Sequence, residues 1–146
     1  MQVKIKRIDK TLPLPAYQTS GAVAFDLYSR EDMTIVPKTI ALIPTNLIIE
    51  TPKGYMLTVV TRSSTPKKKG LLVPHGIGII DQDYHGEKDE IMLQVYNFTD
   101  RDAIIERGER VGQATFVRVD QCEWEEVEEM KKDSRGGFGT TGHFIN

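Results

Sequence analysis

Cysteine is almost absent from this 146-residue chain. Cys122 stands alone, so no internal disulfide framework is possible, and the composition fits a reducing, cytoplasmic setting. Histidine is scarce as well: His75, His85 and His143 lack metal-ligand spacing among themselves or with Cys122, which argues against a zinc centre. No run approaches the ~20 apolar residues that cross a bilayer, and residues 1–7 go straight into charge-interrupted alternation instead of a signal-peptide core. An excess of one charge is also missing. With 19 Lys+Arg against 21 Asp+Glu and a formal net charge of -2, the chain does not suit nucleic acid or an anionic membrane as a partner. Neither phosphate-loop pattern, Gly-x-x-x-x-Gly-Lys-Ser/Thr nor Gly-x-Gly-x-x-Gly before a helix, occurs.

What the chain does contain is a succession of short apolar runs. Residues 3–8 alternate apolar and polar, residues 22–29 form an apolar run with one acid inside it, and further runs lie at 34–36, 39–43, 47–50, 55–60, 90–98 and 111–119. A short strand and a turn are expected within 100–109. Proline and glycine punctuate these runs, and Pro13 and Pro15 make residues 11–16 a loop. The expectation is one all-β domain, a sandwich, jelly roll or barrel. Lys67, Lys68 and Lys69 read as a solvated run in a polar loop. In residues 124–130 apolar side chains stand three apart among good helix formers, which locally predicts a short helix. Residues 133–142 hold four glycines and suit a flexible terminus.

The stretch Gly76-Ile77-Gly78-Ile79-Ile80-Asp81-Gln82-Asp83-Tyr84-His85-Gly86-Glu87 reads as one arm of a hairpin with acids near its tip. Its glycines mark either a twisted strand or a place where a ligand approaches the backbone. Thr61-Arg62-Ser63-Ser64 ends a strand with a guanidinium beside two hydroxyls, suited to phosphate or to a surface salt bridge. Gln113, in an otherwise apolar strand start, is a backbone-satisfied amide or a ligand contact. Arg135 and Phe138 in the tail offer a phosphate-binding charge and a ring able to stack on a base.

Taken in order, Ala24-Phe25-Asp26-Leu27, Arg62-Ser63-Ser64, residues 78–86, Gly108-Glu109-Arg110-Val111-Gly112-Gln113 and residues 135–142 resemble the five motifs of the trimeric dUTPases. The resemblance spans nearly the whole chain. It implies a jelly-roll-like domain over residues 1–132, a flexible C-terminal arm over 133–146, and a homotrimer whose three active sites are shared between subunits. It further implies that residues 124–130 are extended and cross to a neighbour. The reaction implied is dUTP plus water giving dUMP and pyrophosphate, which limits uracil in DNA and supplies dUMP. By that resemblance Asp81 activates the water as general base, and Asp26 holds, through water, a Mg²⁺ chelated by the triphosphate. Ser63 and Gln113 donate to phosphate oxygens, with Arg62 and Ser64 shaping that loop. His75 and the backbone of Gly78, Ile79 and Ile80 meet the uracil, and Tyr84 packs on the deoxyribose. Arg135 reaches the γ-phosphate, and Phe138, with Gly139 and Thr140, closes over the base.

The sequence departs from the family pattern at four places: Ala24 stands where glycine is usual, and His75 lies where asparagine is common. Arg135 precedes Phe138 by three residues instead of five, and the segment from Glu87 to Ile91 is lengthened. Two rival readings are a dCTP or dUTP hydrolase or deaminase of the same superfamily, and a nucleotide-gated protein-binding regulator. Deaminases of this superfamily need a glutamate three residues before the asparagine at Asn97, and here that residue is Gln94.

Overall fold

Extended runs dominate the computed structural model, which describes residues 1–137. Eleven strands and one short helix follow in the order β1 (Ile5–Arg7), β2 (Phe25–Tyr28), β3 (Met33–Ile35), β4 (Ile40–Pro44), β5 (Leu47–Ile49), β6 (Tyr55–Thr61), α1 (Thr65–Lys69), β7 (Leu71–Leu72), β8 (Gly78–Ile80), β9 (Met92–Asn97), β10 (Ala103–Ile105) and β11 (Arg110–Arg118). Two larger sheets, β2-β11-β6-β8 and β4-β9-β7, are accompanied by the pairs β1-β5 and β3-β10. Every pairing is antiparallel. The result is the expected all-β, jelly-roll-like sandwich.

Period-two alternation builds the core. In β9, Leu93, Val95 and Asn97 are buried while Met92, Gln94 and Tyr96 are half-buried on the other face. Leu27, Ile35, Ile43, Leu57, Leu93, Val95 and Ile105 belong to one apolar cluster fed by all four sheets. Burying each such side chain stabilises the fold by about 1.5–3 kcal/mol. Asn97 is a polar member of the interior. Its amide nitrogen donates to the Ile35 and Arg101 carbonyls at 2.8 Å each, and its oxygen accepts from Thr99. It is a satisfied core amide.

Two local expectations differ from the structure. The lysine run belongs to helix α1, where Pro66 occupies a first-turn position that needs no N–H donor and the lysines fill the last turn. Gly70 ends α1 at φ 67°, and a Cβ there would collide with the Thr99 methyl group. Residues 124–130 form no helix, and Trp124 is 92% exposed, Val127 52% and Met130 82%. This agrees with the absence of a helix that the family resemblance implied. No helix of the described residues is long and apolar enough to cross a membrane.

Candidate active site

Strand register sorts the candidate residues into two groups. Gln113 of β11 lies between Asp26 of β2 and Val60 of β6, and Arg62 follows the last residue of β6. Asp26 is buried, and its carboxylate lies between two guanidiniums: Arg62 Nε is 3.1 Å from Oδ1, and Arg110 Nη1 is 3.1 Å from Oδ2. A bulge between Arg110 and Gly112 shifts the β11–β2 register at this point. Bulges re-aim side chains beside functional sites. The surface salt bridge admitted for Arg62 is therefore present, and its acid is the motif residue Asp26. Arg110, which the sequence reading left without a role, completes this group; its place in the same Gly-Glu-Arg stretch as Gln113 was the available signal.

Ser63 is exposed and Ser64 half-buried, in the turn leading into α1. The Ser64 side chain makes no helix-capping hydrogen bond. The next residue's N–H turns back to the Arg62 carbonyl at 2.9 Å.

The second group begins on the edge strand of the same sheet. β8 pairs with β6 through Val59↔Gly78, Thr58↔Ile79 and Leu57↔Ile80. The sequence expectation of a hairpin with acids near its tip is corrected here. β8 is an edge strand beside β6, while β9, beyond the acidic segment, pairs with β4 and β7 in another sheet. Eleven residues, 81–91, separate the two strands, too long for a tight two-residue turn.

Being an edge strand, β8 leaves one row of backbone N–H and C=O groups unpaired. His75, Gly78, Ile79 and Ile80 line a cleft there with Leu42, Met92 and Gln94. Gly76 adopts φ 84°, in a turn closed by its N–H to the Val73 carbonyl at 3.1 Å. Gly78 serves the sheet as well as the cleft, since a Cβ there would lie 3.2 Å from the Val59 carbonyl oxygen.

Asp81 is exposed just past β8, in a cleft of ≈ 430 Å³ shared with Tyr55, Met56, Gln82, Asp83, Val119 and Gln121. Tyr84 is 39% exposed, and its hydroxyl donates to the Glu90 carbonyl at 3.2 Å. The segment is also tied to β1 by an ion pair between Lys6 and Glu87. Beside it, Glu50 is held below the usual carboxylate range by its hydrogen bond to Lys4, with a smaller contribution from His85.

Asp81 is level with Met56, six residues along β6 from Arg62. At about 3.4 Å per residue Asp81 is therefore roughly 20 Å from Arg62 within one chain, whereas Gly78 is level with Val59, one residue from the Val60 that faces Gln113. One copy thus brings Asp26, Arg62, Arg110 and Gln113 together, and separately gathers His75 and Gly78 to Ile80, with Asp81 and Tyr84 beyond. It does not bring Asp81 to the Arg62 end of the sheet. Arg135 is exposed, and Phe138, Gly139 and Thr140 lie outside the described residues.

A sequence model of the dUTPase family matches residues 10–142, a span that covers Asp26, Arg62 to Ser64, His75, residues 78–86, Arg110, Gln113 and residues 135–142. The deoxyuridine 5'-triphosphate nucleotidohydrolase of Dictyoglomus turgidum is 39% identical over 97% of this chain and 99% of its own length. That of Nautilia profundicola is 40% identical over the same shares. The crystal structure of dUTPase from Streptococcus mutans superposes with a TM-score of 0.75 at 31% identity, covering 82% of this chain and 98% of that one. A Staphylococcus bacteriophage 80alpha dUTPase with dUPNHPP reaches a TM-score of 0.85 at 24% identity, a likeness of fold.

Proposed function

This chain belongs to the dUTPase family, and from that premise we propose how its residues divide the hydrolysis of dUTP to dUMP and pyrophosphate. The observation that carries the activity is the near full-length match, which includes all five motifs in order.

A water held by Asp81 attacks the α-phosphorus and loses its proton to the carboxylate. The bond from that phosphorus to the bridging oxygen breaks, and pyrophosphate leaves. No protein nucleophile takes part, so the rate rests on positioning and on charge stabilisation. Ser63 and Gln113 donate to the phosphates at the end of the four-stranded sheet, Arg62, paired with Asp26, and Ser64 shape the loop after β6, and Arg135 meets the γ-phosphate. The unpaired edge of β8, beside His75, reads the acceptor–donor–acceptor edge of uracil through Gly78, Ile79 and Ile80. Tyr84 packs on the deoxyribose. Phe138, Gly139 and Thr140, in the 133–146 arm, close the site.

Asp26 fits the holding of Mg²⁺ through water. Its carboxylate has about four lone-pair directions, and the two guanidiniums use only part of them. No cluster of three or more acidic, histidine or cysteine side chains exists among the described residues to form a protein cage. An ion chelated by the triphosphate and hydrated toward Asp26 suits Mg²⁺, which keeps several waters. When bound, it neutralises charge on the triphosphate.

The roughly 20 Å between Asp81 and Arg62 supports a site shared between copies, and the family resemblance supports a homotrimer. The outer face of β4-β9-β7 suits burial against a copy: Ile40 and Leu42 are at least half exposed, beside their cross-strand partners Tyr96 and Gln94. Trp124, Val127 and Met130 are likewise uncovered in the single chain, as a segment crossing to a neighbour would be.

The test is pyrophosphate release from dUTP, dCTP, dTTP and UTP with Mg²⁺. Release from dUTP, with little from the other three, is expected. No release from dUTP would end this reading, and equal release from dCTP would replace it with a two-substrate hydrolase.

A further inference from the structure

The contacts that close residues 81–91 converge on Glu90, which lies outside the substrate-binding set. Its side chain is 12% exposed, and its two oxygens accept Nε and Nη2 of Arg30, each at 3.0 Å. Such a two-pronged pair fixes orientation as well as distance. Oε1 also accepts the Asn46 N–H at 2.7 Å. Both partners are themselves held: the Arg30 N–H donates to the Pro44 carbonyl at 2.8 Å, and Asn46 is buried between β4 and β5. Glu90 is thereby fastened to the turns after β2 and after β4.

The main chain of Glu90 meets Tyr84. Its carbonyl accepts the Tyr84 hydroxyl at 3.2 Å, the one hydrogen bond of that hydroxyl among the described residues. Its N–H turns back to the Lys88 carbonyl at 2.9 Å, and the next residue donates to Leu47 at 2.8 Å. Gly86 donates to Asp89 within the segment at 2.7 Å. The lengthened segment thus carries its own clamp, and the clamp ends on the tyrosine.

We propose that Arg30 and Glu90 form a positioning pair for sugar selection: they hold the Glu90 carbonyl where it fixes the Tyr84 ring against the deoxyribose. This rests on the dUTPase reading and on the place of Tyr84 in it. Exclusion of a 2′-hydroxyl needs a ring that does not yield, because a displacement of about 1 Å is enough to loosen a designed or natural site. An exposed ring on an eleven-residue connection is rigid only if that connection is anchored.

The test compares kcat/KM for dUTP and UTP in the wild type, Arg30→Lys, Tyr84→Phe and the double variant. Lysine keeps the charge and loses the fork. Arg30→Lys should lower the dUTP-over-UTP preference about tenfold, through a higher KM for dUTP and a better kcat/KM for UTP, with kcat for dUTP nearly kept. Tyr84→Phe should lower the same preference, and the double variant should be no worse than the poorer single, since both break one linkage. A merely structural pair would lower Tm and leave the preference alone. Unchanged preference in Arg30→Lys, or additive losses, would overturn the proposal. Tyr84→Phe removes only a surface hydroxyl, so an unchanged preference there overturns it even if Arg30→Lys does not fold. A wild type without dUTP hydrolysis removes the underlying reading as well, a result distinct from active enzyme with unaltered preference.

Discussion

Asp81 needs only to be reachable and correctly aimed. It is exposed just beyond β8, with its neighbours on that strand fixed by pairing to β6. Asp81→Asn keeps the size of the side chain and removes the basic oxygen. The variant should therefore bind a non-hydrolysable dUTP analogue with near-normal affinity by calorimetry, while pyrophosphate release falls roughly 10²–10⁴-fold, the usual weight of a general base. Near-normal turnover would take the role away from Asp81. Asp26 is a different kind of acid: it is buried, and its carboxylate is held between Arg62 and Arg110.

Between elements, side chains far apart in sequence replace missing strand pairing. Asp9 accepts the Thr11 N–H at 2.8 Å and its hydroxyl at 2.6 Å, and pairs with Arg107 Nη2 at 2.5 Å. This ties the segment after β1 to the turn between β10 and β11. The Thr11 hydroxyl first, and then the Arg107 guanidinium, hold the Asp9 carboxyl far below its ordinary value of 3.8. A carboxylate with a depressed folded-state value stabilises the fold fully above its unfolded value, and loses that contribution progressively as the pH falls from there through the folded-state value. Asp9→Asn should therefore have a lower Tm than the wild type near neutral pH, and the two melting curves should converge as the pH drops below about 3.8. A gap that persisted at low pH would mean that the tie does not depend on charge.

For the whole molecule, the roughly 20 Å between Asp81 and the phosphate group along one sheet argues that no copy is complete alone. Two inactive variants should then complement each other. When Asp81→Asn and Gln113→Ala chains are unfolded together and refolded, some sites receive Asp81 from one parent and Gln113 from the other. Random assembly of equal amounts makes about a quarter of the sites whole. Recovered pyrophosphate release near that share, absent from either variant refolded alone, is the expected result. No recovery in verified mixed trimers would place each site within one chain.

Local chemistry was enough to make the strands legible. β-branched runs cut by proline and glycine leave little alternative to an all-β sandwich, jelly roll or barrel, and the ordered motif residues identify the family from the chain alone. What the sequence left open are properties of contact. α1 was missed because a proline at the helix start and a lysine run both read as loop. Residues 124–130 have helical spacing, but like-charged glutamates three and four apart disfavour an isolated helix, and no surface of the single chain covers its apolar side chains. The partner of β8, the clamp of Arg30, Asn46 and Glu90, and the pairing of Asp26 with Arg110 join residues 19 to 84 positions apart. Such pairings depend on which surfaces meet once the sheets have packed, and neither propensity nor spacing carries that information.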